Sequence, residues 1–278
     1  MDAIHTEQLT VSYGGNPIIK DLNIAIPKGK ITVFIGSNGC GKSTLLRSLA
    51  RLLKPTEGSV VIDGQLISKW PTKELAKKLA ILPQGPIAPE SLTVLNLVKQ
   101  GRYPYQSWLN QWSKQDEEMV KTALAMTKLE DLADRPVDAL SGGQRQRAWI
   151  AMILAQGSDT ILLDEPTTYL DLAHQVDILD LLYDLNKREK RTIVMVLHDI
   201  NLACRYAHHI VSVKNGRVYS QGTPEDTITA KLIEDVFGLE SHVMTDPFFG
   251  TPLCIPSGKG RILPTAKEFV EKNLVKTY

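Results

Sequence analysis

Apolar residues in this chain alternate between short dense runs and longer stretches at helical spacing. Leu9-Thr10-Val11-Ser12-Tyr13 alternates and is closed by Gly14-Gly15-Asn16, which predicts a strand and a turn. The β pattern continues over 18–26, and Pro27-Lys28-Gly29 turns the chain into Ile31-Thr32-Val33-Phe34-Ile35. A helix is predicted over 42–53, halted by Lys54-Pro55-Thr56-Glu57-Gly58. Ser59-Val60-Val61-Ile62 reads as a strand ended by the Asp63-Gly64 turn signal. Thr72 is expected to cap a short helix through Lys78, and Leu79-Ala80-Ile81-Leu82 to form a strand before Pro83-Gln84.

From about 86 to 157 the texture turns helical, with helices expected over 92–100, 115–126 and 144–155. Tyr103, Tyr105, Trp108 and Trp112 crowd between the first two. The strand pattern then resumes at Thr160-Ile161-Leu162-Leu163-Asp164. Leu172, Val176, Leu179 and Leu182 predict one apolar helix face. The unbroken run 192–197 is of the kind buried in a parallel sheet. A hairpin follows around Asn215-Gly216, then a helical stretch from Thr223 to about Phe237. Beyond His242 the pattern weakens, and the basic C-terminal residues are expected to be loosely held. The reading is an antiparallel β section opening an α/β core, with a helical lobe inserted into it.

The residues between the strand predicted at Ile31–Ile35 and the helix after it carry chemistry. Gly36-Ser37-Asn38-Gly39-Cys40-Gly41-Lys42-Ser43-Thr44 is the G-x-x-x-x-G-K-[ST] phosphate loop in its required strand-to-helix context. Its glycines let backbone N–H groups curl around an oxyanion, and the helix that follows points its positive end at the same spot. Lys42 would reach the β- and γ-phosphates of a nucleotide, and the Ser43 hydroxyl would bind Mg²⁺.

Bulk properties narrow the partners. With 32 basic and 31 acidic residues the formal net charge is +1, which speaks against a dedicated nucleic-acid binder. Three scattered cysteines suggest no disulfide framework and fit a reducing compartment. No signal peptide is visible, and the apolar runs are strand-sized rather than membrane-spanning.

At Leu140-Ser141-Gly142-Gly143-Gln144 the chain matches without substitution the signature of the ATP-binding-cassette (ABC) family, which it closely resembles. The family's other elements occur in order: an aromatic Tyr13, the phosphate loop, Gln84, a run ending Asp164-Glu165, Asp171 and His198. The resemblance covers about 4–222 and implies a P-loop NTPase fold, a RecA-like α/β core with antiparallel β and inserted helical subdomains. The ABC ATPase domain is placed at 1–242, its helical part at about 86–157, with 243–278 an extension of unassigned role.

The resemblance also assigns roles. ATP would be bound by Tyr13 against the adenine, by Gly36 to Thr44 around the phosphates, and by Gln84, Asp164 and Asp171. Mg²⁺ would be held by Ser43, Asp164 and Gln84. Glu165 would orient and deprotonate the attacking water, His198 would donate to the γ-phosphate, and Lys42 would stabilise the transferring charge. Ser141, Gly142, Gly143 and Gln144 form a second phosphate-facing helix start, which in the family caps the ATP of a second, head-to-tail copy. Arg145 and Arg147 would add positive potential there. Cys40 reads first as filler at a small-residue position of the loop; the alternative, from its place beside a helix N-terminus and a lysine, is a thiol more acidic than usual that ATP would shield from alkylation.

A single signature with no membrane span implies work in a larger assembly. The expected partners are integral-membrane permease subunits and, indirectly, a substrate-binding protein, at the cytoplasmic face of the membrane. Thr168-Tyr169 before Leu170-Asp171, and Gln100-Gly101-Arg102-Tyr103-Pro104-Tyr105, are similar to ATPases of iron(III)-siderophore, haem and cobalamin importers, with siderophore uptake favoured. No iron site is expected in the chain itself. Non-transport cassettes generally carry a long coiled-coil insertion or two cassettes, neither of which appears, and intact Glu165 and His198 oppose a purely structural module.

Overall fold

A computed structural model of the chain describes residues 2–107 and 112–259, the side chain of Tyr13 excepted. Trp108 of the aromatic segment and the C-terminal basic residues lie outside the described residues. The opening section is antiparallel, as expected: β1 (Asp2–Tyr13) pairs with β2 (Asn16–Leu22) and β3 (Ala25–Pro27). β1 starts well before Leu9 because Thr6 points inward, its hydroxyl donating to Leu22 O at 2.8 Å and accepting from Ile24 N at 3.1 Å. A satisfied inward threonine breaks the apolar alternation without breaking the strand.

β4 (Ile31–Ile35) feeds α1 (Lys42–Leu49), which stops short of the predicted Leu53. Arg51 turns left-handed (φ 60°), and its guanidinium donates to Ile67 O and Trp70 O at 3.2 and 2.5 Å. β5 (Glu57–Ile62) and β6 (Gln65–Leu66) form a hairpin about Asp63-Gly64, both with positive φ. In α2 (Thr72–Lys78) the cap position falls to Pro71, and the Thr72 hydroxyl instead accepts from Arg51 Nη2 at 2.9 Å. β7 (Leu79–Leu82) matches its prediction.

Then come α3 (Val94–Gln100), α4 (Lys114–Met126) and α5 (Gly142–Gln156). Each starts where a hydroxyl, of Thr93, Ser113 or Ser141, accepts the N3 amide. β8 (Thr160–Leu163) leads through a turn to α6 (Leu172–Glu189), and β9 (Thr192–Val196) to α7 (Ile200–Tyr206). On α6 the buried stripe is Ile178, Leu179, Leu182 and Leu185; Leu172 is 68% exposed, against expectation, and Val176 only half-buried. β10 (His209–Lys214) and β11 (Arg217–Gly222) form the expected hairpin, followed by α8 (Pro224–Thr227) and α9 (Ala230–Phe237).

The described residues after His242 complete a hairpin. β12 (Ser241–Thr245) and β13 (Pro252–Pro256) pair, and the Asn201 amide of α7 clasps Cys254 in both directions at 2.7 and 3.1 Å.

The central sheet runs β11-β10-β4-β9-β8-β7, all parallel except β11. Its two faces carry separate cores. Ile31, Val33, Ile161, Leu163, Ile193 and Met195 face α3, α4, α5, α6 and α9, while Phe34, Leu162, Val194 and Val196 face α1 and the antiparallel section. The helical segment therefore shares one continuous core with the sheet.

Arg102 knots that segment together. It is 3% exposed, donates to Asp116 at 2.7 Å and to Ala155 O at 2.8 Å, and lies 3.8 Å from the Tyr105 ring centroid. Burial pushes the Asp116 carboxyl up, but hydrogen bonds from Ser113 and Arg102 outweigh it and hold the group below its ordinary value. Removing one partner of a buried pair leaves the other charge uncompensated, so Arg102→Ala is expected to destabilise the chain by about 3–5 kcal/mol. Urea unfolding of the variant checks this.

Candidate active site

The carboxyl ends of β4, β9, β8 and β7 stand next to one another, and the loops leaving them build a cavity of ≈ 490 Å³. Asn38, Gly39, Gly41, Lys42, Ser43 and Thr44 line one side, with Gln84, Glu165, Thr168, Tyr169 and His198 opposite. The loop after β4 needs its glycines. A Cβ on Gly36 (φ 149°) would strike Val213 O and meet Cys40 Sγ at 2.8 Å, and one on Gly41 (φ 109°) would meet Ile19 Cδ1 at 2.7 Å. Lys42 folds back over the loop, its ammonium donating to Gly36 O at 2.8 Å and Ser37 O at 3.0 Å.

Asp164 lies behind Ser43, its side chain buried and off the cavity wall. Ser43 Oγ donates to its Oδ1 at 2.8 Å, whereas its Oδ2 is buried without a hydrogen-bond partner, Arg47 Nε standing off at 3.9 Å. Burial pushes the carboxyl above its ordinary value, and the adjacent Glu165 adds to this, while Ser43, Arg47 and Lys42 oppose it. An orphaned, buried carboxylate oxygen beside a serine hydroxyl is a donor set that suits a hard cation such as Mg²⁺.

Glu165 is held from three directions. Gln84 Nε2 donates to Oε2 at 2.7 Å, Thr168 Oγ1 to the same oxygen at 2.9 Å, and His198 Nε2 lies 2.7 Å from Oε1. Its backbone is left-handed (φ 54°), as is that of Tyr169 (φ 65°). Such outliers cost on the order of 1–3 kcal/mol each and persist where a site dictates them.

The structure thus assembles most of the residues expected from sequence. Cys40 is buried in the apolar core, 3.9 Å from Lys42 Nζ, and does not line the cavity, which suits the small filler and not the alternative of a thiol presented to ATP and alkylating reagents. Tyr13 ends β1, and its side chain is outside the described part. Ser141, Gly142, Gly143, Gln144 and Asp171 are absent from the lining. Ser141 and Gln144 form a reciprocal capping box at 3.3 and 3.1 Å, and Asp171 caps α6 through His174 N at 2.9 Å. Arg147 pairs with the Asp177 carboxylate at 2.9 Å, whereas Arg145 donates to the neutral Asp138 O at 3.0 Å and keeps its positive charge. Sequence reading missed Thr168 and Arg47 at the site, and Ile18 at the cavity wall. Thr168 lies three residues after Glu165, the spacing a tight turn closes, and that was its one signal.

A parallel sheet bearing a phosphate loop, a buried carboxylate and a second carboxylate at adjacent strand ends defines a P-loop nucleotide hydrolase. The sequence model of the ABC transporter family matches residues 19–168, and the chain belongs to that family of ATPases. It is 68% identical to the "probable siderophore transport system ATP-binding protein" YusV of Bacillus subtilis (strain 168), over 95% of this chain and 96% of that one. Identity is 66% with the petrobactin import ATP-binding protein FpuD of Bacillus anthracis, over 93% and 95% of the two chains. Among solved structures it resembles the dimeric structure of MJ0796, a bacterial ABC transporter cassette, with TM-score 0.70 and 33% identity over 79% of this chain and 98% of that one.

The burial of Asp164 has a measurable consequence. Because its folded-state pKa is raised, the folded chain binds this proton more tightly, and stability falls as pH rises toward the folded pKa. Asp164→Asn is expected to raise the thermal midpoint of the nucleotide-free protein at neutral pH. The gain should shrink as pH is lowered toward the ordinary carboxylate range, and thermal melts across pH check it.

Proposed function

We propose that this chain is the ATP-hydrolysing subunit of an importer for iron(III)-siderophore complexes. It works as a head-to-tail pair beneath permease subunits at the cytoplasmic face of the membrane, supplied by a substrate-binding protein. No helix among the described residues is long and apolar enough to cross a membrane. The observation that carries the pairing is the separation of two phosphate-binding helix starts within one chain. The cavity holds Lys42, Ser43, Gln84, Glu165 and His198, but Ser141 to Gln144 are not on its walls. A second copy bringing its own Ser141, Gly142 and Gly143 over this cavity would complete the site. The siderophore assignment rests on the two bacterial relatives, whose names give siderophore transport and petrobactin import and which align nearly end to end with this chain. We take 1–242 as the ATPase domain, with 86–157 its helical part, and 243–278 as an extension; the hairpin pinned to α7 straddles that boundary, since β12 begins at Ser241.

In the mechanism, ATP enters with its phosphates on Gly36 to Thr44 and its adenine against Tyr13, and Lys42 leaves Gly36 O and Ser37 O for the phosphate oxygens. Ser43, Asp164 and Gln84 would hold Mg²⁺, which supplies neutralisation of the phosphate charge. His198 transfers its hydrogen bond from Glu165 to the γ-phosphate, and Gln84 is drawn from Glu165. The freed carboxylate then orients a water in line with the γ-phosphorus and takes its proton as the new P–O bond forms and the bond to ADP breaks. Thr168 keeps the carboxylate aimed. Loss of the γ-phosphate removes what both copies grip, and the pair opens.

General-base catalysis contributes about 10²–10⁴-fold, so Glu165→Gln is expected to cut turnover by that factor while retaining ATP affinity. Phosphate release and equilibrium ATP binding check it, and wild-type turnover would remove Glu165 from its role. Ser141→Arg is expected to abolish ATP-driven pairing with single-copy ATP binding intact, as read by sedimentation. Deleting the gene should abolish uptake of radiolabelled iron(III)-siderophores from a panel and spare haem and cobalamin; loss of haem or cobalamin uptake instead would overturn the cargo assignment.

A further inference from the structure

The first turns of α5 and α6 lie side by side, and a single imidazole joins them. A Cβ built on Gly143 would collide with the His174 ring, reaching Cδ2 and standing 2.9 Å from Cγ and 3.0 Å from Nε2. Gly142 faces the same segment, its built Cβ 3.9 Å from Leu170 Cδ2. On its other side His174 Nδ1 is 2.6 Å from Asp171 Oδ1, the oxygen that also accepts the His174 backbone N–H. Gln175 Nε2 closes the turn by donating to Leu170 O at 2.9 Å. The ring is therefore a wedge between the cap of α6 and the second glycine of the signature.

Resting on the head-to-tail pairing proposed above, we propose that His174 is a positioning residue. It holds Ser141, Gly142, Gly143 and Asp171 of one copy as one rigid half-site for the ATP bound by the other.

The physical case is one of constraint. Asp171 accepts only, so Nδ1 carries the proton and the ring is locked in one tautomer and one plane. A flat ring fits against a Cα that has no side chain, which makes Gly143 and His174 a matched pair. Another link between the helices, Arg147 to Asp177, lies a turn further from the phosphate-facing end. That pair and the His174–Asp171 pair are both partly exposed, so what sets the imidazole apart is its place at the helix starts and its contact with Gly143. The imidazole is thus the tie nearest the place where the two helix starts would meet a nucleotide, and displacement there by even about 1 Å can cost on the order of 10²-fold in function.

The test uses the full-length chain in a Glu165→Gln background, where ATP-driven pairing is followed by sedimentation and ATP affinity of the single copy by equilibrium binding. Adding His174→Ala is expected to weaken pairing about tenfold with single-copy ATP affinity within about twofold, because the ring serves the partner's nucleotide rather than its own. His174→Asn, whose amide can still donate to Asp171, is expected to recover most of the loss. Unchanged pairing in His174→Ala overturns the proposal and leaves the pairing itself standing. An equal fall in the chain's own ATP affinity also overturns it, since the residue would then be supporting its own fold. Failure of the Glu165→Gln parent to pair with ATP refutes the head-to-tail reading and this inference with it.

Discussion

Gln84, Glu165 and His198 reach the cavity from just past the ends of parallel strands, and the strands are locked in register by their buried faces. Phe34 pairs with Val196, Met195 with Leu163, and Leu163 with Leu82. The residues that follow these positions are the phosphate loop, His198, Asp164-Glu165 and Gln84. Side chains alternate with a period of two, so a slip of one residue in any strand would send its apolar set to the wrong core and its functional residue away from the cavity. The packing that stabilises the sheet is the same packing that aligns the chemistry.

Against that rigid edge the site carries features that work against stability. Asp164 is buried with one oxygen unpartnered, and Glu165 and Tyr169 are left-handed without being glycine. These are sustainable because β4, β8 and β9 are buried along their whole lengths and leave the loops few alternatives. The contacts about Glu165 show how the strain is directed. Gln84, Thr168 and His198 arrive from three separate segments and converge on one carboxylate, which fixes its direction far more tightly than any one of them could.

What was legible in the sequence follows from how local its cause is. β7, β8 and β9 were readable because strands buried on both faces are apolar at nearly every position. The phosphate loop was readable because its glycines answer a local backbone demand. β1's start was not, since an inward Thr6 satisfied by Leu22 and Ile24 looks like a surface residue in one dimension. The end of α1 depends on Arg51 finding carbonyls at Ile67 and Trp70, and the C-terminal hairpin on Asn201, both distant in sequence. The same division runs through the site. Glu165 and His198 are announced by their neighbours and Thr168 by its three-residue spacing from Glu165, whereas the inward burial of Cys40 and the convergence of Gln84 and His198 on Glu165 are decided only when separate segments meet.

The signature turn shows why one chain makes only half of the proposed machine. A helix leaves four N–H groups without intrahelical partners, here those of Ser141, Gly142, Gly143 and Gln144. The capping box takes the first and the last, through Gln144 Oε1 and Ser141 Oγ. What remains is the pair of glycine N–H groups, at a helix start whose flanking Ser141 and Gly142 are exposed. Two backbone donors at the positive end of a helix bind an anion well only if something places that anion, and nothing among the described residues of the same chain does. In the proposed pairing, Lys42 and the phosphate loop of another copy would place one. ATP would then be a structural element of the interface as well as its fuel, and hydrolysis would act on the interface by removing the charge that both helix starts were turned toward.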